Sequence, residues 1–270
     1  MKNITTGERT MSKNIIYCYS GSGNCLDMAK RIGGFLGDTD IVMMRRRPVI
    51  TDARGAKRVG FIFPCYGGGL PGNTEEYIRE IKIDSDAYKF AIVQYAGYMG
   101  CGLHKIDEII GLDYWNGCSH HSSCIWLMPH YFTMPPMPAK QSQQKSERKA
   151  RSFAEDILTM KKSEEKPPKR GVFAVESAFL SKTHTKRTEK FSANDSCRSC
   201  GTCESICPKG NIRLEGGKPV FGKECIGCLS CVQYCPEQAI NIGKVTLKRE
   251  RYHNPNVPSW ELNKEILHIE

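Results

Sequence analysis

Eight of the fourteen cysteines fall between Cys197 and Cys235, in two rows of one spacing. Cys197, Cys200, Cys203 and Cys207 are followed by Pro208; Cys225, Cys228, Cys231 and Cys235 are followed by Pro236. A shift of 28 residues superposes all eight cysteines and both prolines, and places Ile212 on Ile240. Three thiolates at this interval can wrap three irons of a cube, and the cysteine before the proline serves the other cube. The spacing predicts two [4Fe–4S] clusters. One uses Cys197, Cys200, Cys203 and Cys235; the other uses Cys225, Cys228, Cys231 and Cys207. Zinc closes with two cysteine pairs and has no use for such rows.

The first 162 residues carry a different pattern. Short apolar runs occur at Asn14–Tyr19, Asp40–Met44, Val59–Phe63, Phe90–Tyr95 and Cys124–Met128. Helical spacing lies between them: Leu26, Ala29, Ile32 and Gly33; Thr74–Ile81; Leu103–Ile110; and Ala150, Phe153, Ala154, Ile157 and Leu158. Five apolar strands alternating with helices predict an α/β doubly wound parallel sheet covered on both faces. Sites in such sheets form at the carboxyl ends of the strands.

Three loops occupy those ends. Ser20-Gly21-Ser22-Gly23-Asn24-Cys25 joins the first strand to the first helix. Small residues there present backbone N–H groups to an anion, and the helix dipole favours negative charge. The loop lacks the lysine of a nucleoside-triphosphate P-loop. It resembles the phosphate loop of flavodoxins, with Ser20, Ser22 and Gly23 matching and Cys25 replacing the usual threonine. Two further loops combine an aromatic with glycines: Tyr66-Gly67-Gly68 and Ala96-Gly97-Tyr98. The resemblance implies FMN, with Tyr66 and Tyr98 stacking on the ring and a peptide near Gly67-Gly68 meeting N5.

The expected organisation is a disordered tail (1–12), a flavodoxin-like domain (13–162), a basic linker (163–190), a small α+β two-cluster ferredoxin domain (191–245) and a C-terminal tail (246–270). The chain is similar to a family of fused flavodoxin–ferredoxin proteins of anaerobes, a resemblance that extends to Arg251-Tyr252-His253-Asn254-Pro255. It implies an iron–sulfur flavoprotein that passes electrons between FMN, two clusters and redox partner proteins, with no catalytic residue of its own. The alternatives are an FMN-dependent reductase, with His130 or Tyr131 as proton donor, and a non-catalytic iron–sulfur sensor.

The net charge of +10 raises the question of nucleic acid, but more than half of the excess falls in residues 141–190. That concentration reads as a solvated helix and linker rather than a nucleic-acid surface. The run Arg45-Arg46-Arg47 reads the same way. No stretch is apolar enough to span a membrane, and the N-terminus has no apolar leader. With unpaired cysteines in number, a cytoplasmic setting is expected. The histidines in Cys118-Ser119-His120-His121-Ser122-Ser123-Cys124 offer a weaker metal site, outweighed by core packing of Cys124.

Overall fold

A computed structural model describes residues 12–125, 138–169 and 190–270. β1 (Asn14–Cys18), β2 (Thr39–Met43), β3 (Arg58–Pro64), β4 (Tyr88–Tyr95) and β5 (Tyr114–Ser119) form one parallel sheet in the order β2-β1-β3-β4-β5. That order, with its reversal between β1 and β3, is the flavodoxin-like doubly wound arrangement. α1 (Asn24–Leu36) and α4 (Ala139–Leu158) cover one face; α2 (Thr74–Glu80) and α3 (Gly102–Ile110) cover the other. The alternation of β1 decides which residue meets which layer. Ile16 and Cys18 join Leu26, Ala29, Ile32 and Phe153. Ile15, Tyr17 and Tyr19 join Phe61, Phe63, Ile78 and Leu103.

Two expectations change. The fifth strand of the sheet is Tyr114–Ser119; of the expected Cys124–Met128 strand, residues 126–128 lie outside the described residues. It is an edge strand with Trp115, Asn116 and Gly117 only partly buried, so it needs no apolar run. Cys124 and Ile125 follow it outside the sheet, and Ile125 packs into the ferredoxin core instead. The second change concerns the segment expected as a tail. Residues Ile266–Ile269, the strand β10, return to pair antiparallel with β2, Ile266 opposite Val42 and Ile269 opposite Thr39. This covers an edge of the sheet that would otherwise present unpaired backbone groups. His268 Nδ1 lies 3.0 Å from buried Asp40 Oδ1 and fixes the register.

The C-terminal module is built twice over. α5 (Thr202–Ser205) and α6 (Ser230–Gln233) are related by the 28-residue shift. So are left-handed backbone positions Ser199 and Gly227, Gly201 and Leu229, and Gly210 and Gln238. β6 (Phe191–Ala193) pairs with β9 (Ile240–Ile242), and β7 (Ile212–Glu215) pairs with β8 (Lys218–Phe221). Ile212, Leu229, Val232, Ile240 and Ile242 fill the small core between them. A last short helix, α7 (Ser259–Leu262), precedes β10.

Of the expected linker, residues 163–169 are described. Lys166 pairs with Asp107, and Trp115 Nε1 donates to Glu165 O at 2.8 Å, so this part runs along the β5 edge. The expected N-terminal tail, apart from Ser12, and residues 170–189 of the expected linker lie outside the described residues.

Candidate iron–sulfur centres and the flavin loops

Local backbone geometry sets the eight cysteines around two hollows. One is lined by Cys197, Cys200, Cys203 and Cys235. The other is lined by Cys207, Cys225, Cys228 and Cys231. Each hollow thus takes three cysteines from one row and the last from the other. Among the described residues, no three His, Cys, Asp or Glu side chains converge as they would on a single ion. A four-iron cube needs its thiolates spread around it, one to each iron, and the hollows fit that group.

The polar surroundings repeat with the chain. The Asn211 and Ala239 N–H groups each donate to the preceding cysteine sulfur, Cys207 and Cys235, at 3.3 Å. The Thr202 hydroxyl lies 3.4 Å from Cys200 Sγ; Ser230 Oγ lies 3.4 Å from Cys228 Sγ, but its one proton goes to Gly21 O at 2.8 Å. Hydrogen bonds to sulfur stabilise a thiolate and tune a cluster's potential. Burial acts the other way on the thiols. It pushes Cys203 and Cys225 up to about 11 and Cys231 well above the ordinary thiol range. These groups are neutral without a metal, and loading must displace their protons. Cys200, exposed and bonded to Thr202, is held below the ordinary value.

The module sits on the loop that resembles a phosphate cradle. Ser230 Oγ donates to Gly21 O at 2.8 Å. A Cβ on Gly21 would lie 2.2 Å from Tyr66 Oη and 2.7 Å from Cys228 O, so only glycine admits this approach. At Gly23, φ is +93°, and a Cβ there would meet Tyr234 Oη at 2.6 Å. Ile226 presses on Gly72, its Cδ1 3.1 Å from where a Cβ would stand. Asn254 N–H donates to Ser22 O at 2.8 Å, and Tyr252 Oη donates to Asn24 Oδ1 at 2.9 Å. Gln233 accepts from Tyr252 N–H at 2.8 Å, so residues 252–254 strap the module to the loop.

The twelve residues expected around FMN therefore divide. Ser20, Gly21, Ser22, Gly23 and Asn24 form one buried turn at the start of α1, and the Ser20 hydroxyl has no hydrogen-bond partner there. Cys25 turns into the apolar core beside Cys18 and Cys118, where burial raises its thiol far above the usual range; it does not face an anion. Tyr66 meets Tyr19 edge-on at 5.9 Å and rests on Gly21. Gly67 and Gly68 turn tightly, and Gly68 O accepts from Cys101 N–H at 2.8 Å. Ala96, Gly97 and Tyr98 lie on that neighbouring loop, with Gly97 exposed. The phosphate end suits a small anion. Beside this turn stand residues of the module: the Cys228 carbonyl against Gly21 and Ile226 against Gly72.

The sequence reading of Arg45-Arg46-Arg47 as a solvated run fails at Arg45. It follows β2, is buried, and donates to Leu262 O, Ile206 O and Ser230 Oγ at 3.2, 2.5 and 3.0 Å. Arg46 donates to Cys207 O at 3.4 Å. His120 and His121 form no metal group; burial holds them neutral, down to about 4 and about 3. His120 Nδ1 lies 3.2 Å from Asn24 Nδ2. His130 and Tyr131 lie outside the described residues.

Fold and site define a ferredoxin module fused to a flavodoxin-like sheet. Residues 196–240 match the 4Fe-4S dicluster domain. The chain is 36% identical over 52 residues to a ferredoxin of Methanothermococcus thermolithotrophicus, covering 18% of this chain and 87% of that one. It is 36% identical over 67 residues to electron transport protein HydN of Escherichia coli (strain K12), covering 24% of this chain and only 38% of HydN's length. An azoreductase from Bacillus anthracis str. Sterne overlays 52% of this chain and 98% of its own, at a TM-score of 0.37 and 8% identity. Through its C-terminal module the chain belongs to the ferredoxin family. Among the described residues no helix is long and apolar enough to cross a membrane.

Proposed function

We propose that the chain carries two [4Fe–4S] clusters and relays single electrons between redox partner proteins. Cys197, Cys200, Cys203 and Cys235 hold the first; Cys225, Cys228, Cys231 and Cys207 hold the second. When bound, each cluster supplies a one-electron couple. The observation that carries this reading is the pair of hollows, each lined by four cysteines drawn from both rows. Cys200 is exposed, so partners meet the module at the edge of the first site. The second site lies on the side of the module that meets Gly21, through the Cys228 carbonyl. In this reading the flavodoxin-like domain is the base on which the module docks.

A second reading adds FMN, and one observation favours it: the buried Ser20 hydroxyl without a partner. It requires space for the ring beside Tyr66, close to where the Cys228 carbonyl meets Gly21 and Ile226 meets Gly72. Iron analysis and reductive titration of anaerobically purified protein test the first reading. About eight irons and two electrons per chain are expected; about four irons, or zinc in their place, overturn it. An extracted flavin absorbance at one per chain selects the second.

A further inference from the structure

Arg45 is the feature that the relay does not yet use. Its side chain comes from the flavodoxin-like domain, yet all three of its hydrogen-bond partners belong to the C-terminal part. Two are carbonyls at the ends of short helices: Ile206, which caps α5, and Leu262, the last residue of α7. The third is Ser230 Oγ, itself 3.4 Å from Cys228 Sγ. Arg45 is 5% exposed, and its Nε is buried with no partner. Among the described residues its partners include no carboxylate. A guanidinium taken out of water without a counter-charge costs several kcal/mol. Carbonyl oxygens offset part of that, because helix ends are electron-rich. Through Ser230 Oγ the guanidinium stands next to the second cluster site, which with its thiolates carries about −2 when oxidised and about −3 when reduced.

We propose that Arg45 sets the reduction potential of the second cluster, by placing an obligate positive charge from the sheet domain beside Cys228. This rests on the two-cluster reading above. The charge attracts the reduced state more strongly than the oxidised one, and low local dielectric magnifies the difference. Arginine suits the role because it does not lose its proton when buried. The same contact makes the potential depend on docking: a module lifted off the sheet loses the charge and becomes a stronger reductant.

The test follows each cluster separately, by the hyperfine-shifted cysteine Cβ protons in a redox titration of the full chain. Arg45→Gln should weaken electron uptake by the second cluster at least tenfold, a fall of 59 mV for one electron. The first cluster should stay within twofold. Arg45→Lys, which keeps the charge but not the fork, should restore the second cluster to within about threefold of the natural chain. A Gln variant with an unmoved second cluster overturns the proposal. So does a Lys variant as weak as the Gln variant, since that marks a purely structural clamp. If the Gln variant does not hold its clusters, the natural chain decides: the second cluster should be reduced no later than the first, and the reverse order overturns the proposal. Fewer than eight irons in the natural chain overturns the two-cluster reading itself, a result read from iron content rather than from potentials.

Discussion

Ser230 Oγ donates across 2.8 Å to the carbonyl oxygen of Gly21. One residue follows the second cysteine of the second row by two positions; the other is the backbone of a loop more than two hundred residues earlier. The bond ties the second cluster site to the switch point of the sheet, where doubly wound folds keep their ligands.

That contact leaves no room for a side chain. Gly21→Ala would set a methyl 2.2 Å from Tyr66 Oη and 2.7 Å from Cys228 O. Overpacking of this kind costs about 1–3 kcal/mol. The variant should lose iron to a chelator faster than the natural chain, with about half of the iron affected. Iron-release kinetics measure it; release at the natural rate would mean that the module is not seated on Gly21.

The docked module predicts a flavin result. Because the Cys228 carbonyl and Ile226 stand against Gly21 and Gly72, beside the expected flavin loops, the cluster-loaded chain should not quench FMN fluorescence at micromolar concentration. Stoichiometric quenching would show that a site opens there and would favour the second reading.

The edge strand predicts a stability result. Ending the chain at Lys264 removes β10, re-exposes the β2 edge and leaves Asp40 buried without His268. Loss of a buried group's partner costs about 1–3 kcal/mol. Urea denaturation should show a lower midpoint, and light scattering should show more association through the bare edge. An unchanged midpoint would make the strand dispensable.

His120 and His121 predict a pH dependence. Burial lowers both below the ordinary 6.5, to about 4 and about 3. With folded values depressed, the unfolded chain takes up protons first as pH falls. Stability is therefore full above about pH 6.5 and is lost from there downward, at up to about 1.4 kcal/mol per pH unit for each ring. The double variant His120→Gln, His121→Gln should flatten the fall between pH 6.5 and 5 in urea titrations. An equally steep fall in the variant would assign it elsewhere.

Much of this was legible because regular packing leaves periodic traces. β1, β3 and β4 are buried on both faces and read as apolar runs. β5 lies at an edge, with polar and glycine residues, so the more apolar Cys124–Met128 drew the prediction away. The cysteine rows carry their grouping in their spacing. Arg45 was hidden because a run of three arginines looks solvated, and only the contact with Ile206, Leu262 and Ser230 distinguishes the first from its neighbours. The strap at Tyr252–Asn254 and the return of β10 depend on tertiary neighbours that no local pattern announces.

The exchange of the fourth cysteine between rows is the central claim, and Cys207→Ala tests it most directly. Cys207 lines the hollow of Cys225, Cys228 and Cys231, not that of its own row. After anaerobic purification, the variant should lose or alter the cluster whose shifted proton signals belong to Cys225, Cys228 and Cys231. Signals from Cys197, Cys200, Cys203 and Cys235 should persist. Loss of the first-row cluster, with the second intact, would contradict the account.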